Sequence, residues 1–157
     1  MKKLTAEFPL AYGETYGINS TCGFTAGSCF FVTSMPMPGA RENYFVVQKL
    51  GQHGFQRIQN FRDYVAGWDF GKGKPMSEIA FSGLAKFLET VILPEGKRPS
   101  IFLTSSGHLE LAWEAQNGSK RQAEFGPRKI EYYREDTGAE GEIPTTDASQ
   151  AAEILTA

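Results

Sequence analysis

The chain has 157 residues, 41% of them hydrophobic and 22% charged, with a net charge of −2 at neutral pH. These figures fit one ordinary globular domain and exclude wholesale disorder. No apolar run approaches the roughly 18 residues of a membrane helix, and the near-neutral total argues against a general nucleic-acid binder.

The total conceals an asymmetry. All sixteen Lys and Arg lie at or before Arg134, so residues 1–134 carry +4, while residues 135–157 carry six acids and no base. The expectation is a single α+β domain over 1–134 followed by an acidic, flexible tail over 135–157. Lys2 and Lys3 precede no apolar stretch of leader length, because Glu7, Pro9 and Glu14 interrupt it. That pattern points to the cytoplasm. Cys22 and Cys29 then read as small buried free thiols, and with only His53 and His108 for company they compose no recognisable zinc set. No metal and no cofactor are expected.

In chain order, Cys29-Phe30-Phe31-Val32-Thr33 and Tyr44-Phe45-Val46-Val47 are β-leaning runs separated by Met35-Pro36-Met37-Pro38-Gly39. Together they predict an N-terminal antiparallel β pair. Ile58, Phe61, Val65 and Trp68 step by three or four, which predicts a helix over 57–66 with Gly67 as its C-terminal cap. A glycine-punctuated loop follows through Pro75. Ser77 then suits an N-cap, and Ala80, Leu84, Phe87, Leu88 and Val91 make the apolar stripe of a second helix that ends before Pro94 and Gly96.

The remaining segments alternate. Strands are predicted over 100–104, 108–115, 121–125 and 129–134, with Leu109, Leu111 and Trp113 on one face and His108, Glu110 and Glu114 on the other. Asn117-Gly118 predicts a type I′ hairpin turn, and a short helix is predicted near 147–155. The fold class is therefore α+β, an antiparallel β-meander packed on one or two amphipathic helices.

Trp68-Asp69-Phe70-Gly71, Pro75, the following helix, Gly107-His108-Leu109-Glu110-Leu111-Ala112-Trp113 and Tyr132-Tyr133 form an ordered set. It resembles a widespread group of small uncharacterised bacterial proteins with a Trp-Asp-Gly-Tyr-Gly-like loop, a helix, a Gly-x-Leu-x-Leu-x-Trp strand and a strand ending in Tyr-Tyr. The resemblance covers about 57–134 and departs from the pattern at Phe70, Lys72 and Lys74. It implies a setting beside mobile-element or toxin-like genes and no defined activity. Independently of it, Trp68 is expected to plug the sheet edge and the Asp69 carboxylate to accept backbone N–H groups of the loop.

No catalytic set emerges. Gly71-Lys72-Gly73-Lys74 lacks the spacing of a phosphate-binding loop, and the carboxylates have no histidine beside them in the chain. The leading expectation is a non-enzymatic protein-binding factor, narrowed to a phage or mobile-element inhibitor of a host defence complex or an antitoxin. Phe30, Phe31 and Tyr44 are its candidate anchors. The alternative is nucleic-acid binding along a basic edge of the C-terminal sheet through Lys120, Arg121, Arg128, Lys129 and Tyr133.

Overall fold

In the computed structural model, which describes residues 39–156, α2 (Glu78–Thr90) is the element against which the others pack. Ser77 caps it, its hydroxyl accepting the Ala80 N–H at 3.3 Å, and Glu78 stands in the first turn where the helix dipole favours an anion. Ala80, Leu84, Phe87, Leu88 and the following Val91 are all buried, as their spacing predicts. Phe81, Gly83 and Ala85 are buried too, so α2 is enclosed on more than one stripe.

The Tyr44–Phe45–Val46–Val47 run is not a strand. It lies in α1 (Ala40–Arg62), where Val46, Leu50, Ile58 and Phe61 form the buried stripe. β propensity loses here to packing against α2, the usual outcome when tertiary burial opposes a local preference. Gly51 bends α1 with φ 72° and ψ 176°, and its missing side chain leaves room for the Arg98 guanidinium. The other half of the expected pair, 29–33, lies outside the described residues. α1 also ends earlier than the periodicity suggests: Asp63 caps it, and Gly67 belongs to the loop beyond.

Five strands follow in an antiparallel meander, β1 (Ser100–Leu103), β2 (Leu109–Glu114), β3 (Lys120–Phe125), β4 (Lys129–Arg134) and β5 (Ala139–Pro144), hydrogen-bonded in that order. The first four match the alternation in the sequence. The turn at Asn117-Gly118 differs from the predicted one. Gly118 has φ 84° but Asn117 does not take a positive φ; the Gly118 N–H donates to the Ala115 carbonyl at 3.0 Å, and the Ala115 N–H to the Ser119 carbonyl at 2.8 Å. That is a type I turn closed by a left-handed glycine, one residue longer than a type I′ hairpin. The β1–β2 connection repeats it with Gly107 at φ 80°.

The acidic segment is folded. It supplies β5, a short 3-10 turn and α3 (Ala148–Thr156), whose Ala148, Ala151, Ala152 and Leu155 are buried at the i, i+3, i+4, i+7 positions of one face. The described unit thus runs within Pro36–Ala157 and does not stop at residue 134. Its acids alternate with small and apolar residues, so the charge sits on exposed positions while the stripe faces the core. On one side of the sheet α1 lies over β1, α2 over β2 and β3, and α3 over β4 and β5. Among the described residues no helix is long and apolar enough to cross a membrane.

Two substitutions test this frame. A Cβ at Gly107 would stand 2.3 Å from the Pro75 carbonyl oxygen, on top of its left-handed φ, so Gly107→Ala should lower the unfolding free energy by about 3 kcal/mol or more. Leu155→Ala should cost about 2–5 kcal/mol in urea titrations, whereas a solvated tail would leave the midpoint unchanged.

Candidate functional site

Strand alternation divides the sheet sharply. The helix-covered face carries Ile101, Leu109, Leu111, Trp113, Ala123, Phe125, Ile130 and Ile143, all buried. The opposite face carries a row in direct register across all five strands: Phe102 opposite Glu110, Glu110 opposite Glu124, Glu124 opposite Glu131, and Glu131 opposite Glu142. Neighbouring strands lie about 4.8 Å apart, so four carboxylates line up at that interval. Like charges facing each other across strands are normally unfavourable. Lys129 relieves part of the repulsion, reaching Glu131 at 2.7 Å and Glu142 at 2.6 Å, and the His108 Nδ1 stands 2.8 Å from Glu124. Glu114, opposite Lys120, and Glu140, opposite Tyr133, add to the same face.

The basic edge expected from the sequence is not assembled. Arg121 points inward and is only 7% exposed; its guanidinium donates to the Leu155 carbonyl and lies 3.4 Å from Asp136. Arg134 joins it, donating to the Ile154 carbonyl at 2.8 Å and gripping Asp136 through Nε at 3.1 Å and Nη2 at 2.9 Å. Both arginines therefore hold the carbonyl end of α3, where cations complement the helix dipole. Lys129 is occupied by its two glutamates, and its ammonium is held above its ordinary range first by the Glu131 carboxylate and then by Glu142. Lys120 and Arg128 remain exposed at separate turns, and Tyr133 is a half-open ring on the acidic face. Tyr44 is exposed on α1, away from that face, and Phe30 and Phe31 lie outside the described residues.

A second surface is the loop between α1 and α2. Trp68 does not plug the sheet edge. Its ring lies over Gly73 and its indole N–H donates to the Lys74 carbonyl at 2.9 Å, with Tyr64 packed 5.1 Å away. The Asp69 main-chain carbonyl, rather than its carboxylate, accepts the loop's Lys72 N–H at 2.8 Å. Between them Phe70 takes φ 46° and Gly71 φ 86°, both positive as in a type I′ turn. Lys74 N–H to Ser105 carbonyl and Ser77 N–H to Gly107 carbonyl, each 2.9 Å, tie the loop to the β1–β2 turn.

A groove of about 290 Å³ lies beside the α2–β1 connection, lined by Ile92, Leu93, Pro94, Trp113 and Arg121 among others. Arg121 is already committed to α3, and the groove gathers no nucleophile with a base beside it. Among the described residues no group of three or more His, Cys, Asp or Glu is placed to hold a metal ion. Comparison with protein families, with characterised proteins and with solved structures finds no match.

The clamp on α3 has a pH signature. The Arg134 guanidinium, with Arg121 behind it, lowers the Asp136 carboxyl to about 2. A carboxyl near its ordinary value of about 3.9 when unfolded then adds stability that is complete above that value and lost as pH falls through 2. Wild type should exceed Asp136→Asn in urea midpoint at pH 6, with the gap closing between pH 4 and 2. A gap that persists below pH 2 would show that the charge is not what Asp136 contributes.

Proposed function

We propose that this chain is a non-enzymatic protein-binding factor that lays the outer face of its sheet against a lysine- and arginine-rich surface of a partner. The in-register glutamate row carries the reading. One carboxylate per 4.8 Å is about two-thirds the linear density of phosphates on a single DNA strand, which has one per roughly 3.4 Å of axis, with Lys129 offsetting one of the four charges. A partner that grips nucleic acid through a basic surface would find that surface occupied by the row. Such competition fits an inhibitor of a host defence complex or an antitoxin, the narrower roles suggested by the resemblance. The inward commitment of Arg121 and Arg134, and the capture of Lys129, support the protein partner over nucleic acid.

Glu110 and Glu140 test it, since neither has an ion-pair partner among the described residues, and reversal of exposed Glu140 and half-buried Glu110 on the outer face leaves the core untouched. A host protein captured on the immobilised chain should be purified and titrated at 50 and 300 mM salt. Wild-type affinity should fall steeply with salt, and Glu110→Lys/Glu140→Lys should weaken binding about tenfold or more, chiefly through slower association. Unchanged affinity for the double variant sinks the reading. Gel shifts that depend on Lys120 and Arg128 would return nucleic acid in its place.

A further inference from the structure

Phe70 is the most exposed large apolar side chain of the described residues, with a relative exposure of 101%. It occupies the first central position of a turn in which both central residues have positive φ. Asn, Asp or Gly normally fill that position, because a Cβ there is strained, and a phenyl ring adds apolar area left in water. Nothing in the fold rewards either cost. The ring touches no core residue, and the loop is held without it by the Trp68 indole, the Gly67 N–H bonded to the Gly73 carbonyl, and the ties to the β1–β2 turn. A strained, unpacked aromatic on a rigid support is the pattern of a preorganised anchor.

We infer that Phe70 is the anchor of a second interface, one that inserts into an apolar pocket with a carboxylate rim on a protein partner. The rim follows from Lys72 and Lys74, exposed on the same loop and in no ion pair among the described residues. A membrane is disfavoured, since one ring with two lysines falls short of the two strong signals stable anchoring takes. Single-stranded nucleic acid is disfavoured because two phosphate contacts give little affinity. An aromatic anchor in a protein pocket needs neither many charges nor a large area, and such residues dominate interface energies.

The full chain carrying benzoylphenylalanine at position 70 is irradiated in host extract, with the same residue at position 95 as a control. The cross-linked protein is then purified and titrated against wild type, Phe70→Asn and Lys72→Glu. The expected result is an adduct from position 70 alone, and binding about 30-fold weaker for Phe70→Asn. The melting temperature of that variant should rise by about 3 °C, because Asn tolerates the turn. A structural role for the ring would lower it. Lys72→Glu should weaken binding several-fold. The idea is overturned by no adduct specific to position 70, by less than threefold loss in Phe70→Asn, by a fall in its melting temperature, or by an adduct that contains nucleic acid or lipid. The outcome is separable from the sheet-face reading, since Glu110→Lys/Glu140→Lys leaves the position-70 adduct in place.

Discussion

A five-stranded sheet with apolar side chains on one face must be covered on that face, and α2 is the piece of chain that makes the covering possible. Phe87 packs its ring 5.8 Å from Trp113 and 5.2 Å from Phe125, joining the helix to β2 and β3. The other two helices complete the layer because α2 offers them sides to lean on: Arg62 lies 4.4 Å from the Phe81 ring and forks onto Glu78, while the Thr145 methyl, in the short turn that leads into α3, seats at Gly83. Every described element outside the sheet is placed by reference to this helix, which is why its burial extends beyond one stripe.

How much of this was legible in the sequence depended on whether local pattern and tertiary packing agreed. They agreed for α2 and for β1 to β4, where Ser77, the Leu109–Leu111–Trp113 alternation and the places of the glycine turns all point one way, even though the Asn117-Gly118 turn is of another type. They disagreed for Tyr44–Val47, where Val46 is buried against a helix partner that the local window does not contain while Tyr44 stays exposed. The helix near 147–155 is legible and matches α3, whereas β5 is not, because Ala139–Pro144 carries two glutamates, a glycine and a single buried apolar residue, Ile143. The glutamate row escaped notice because its members come from four strands and meet only through the hairpin registers. Phe70 was visible as a departure from the resembling loop, but its exposure and φ are properties of the folded chain.

Charge is sorted by depth as well as by sequence. Arg121 and Arg134 sit beneath the sheet on the α3 carbonyls, with Asp136 between them, while six glutamates and two lysines occupy the outer face. The net charge of −2 therefore understates what an approaching molecule meets. The positive body and negative tail suggested by the linear sequence are interleaved in space. Strand β5 carries the tail's acids onto the same face as the acids of β2, β3 and β4.

The meander also decides how this protein can be approached. An open sheet ends in two strands with unpaired backbone groups, and such edges recruit stray strands. Here β1 is four residues long and follows directly on Pro99, while β5 presents Glu140 and Glu142 and closes on Pro144. Neither offers a long, neutral template for another chain to extend. Lateral growth by strand addition is therefore blunted at both margins of the described sheet. The same features that guard the described sheet against edge-to-edge aggregation leave its broad outer face and the loop tip at Phe70 as the surfaces it displays.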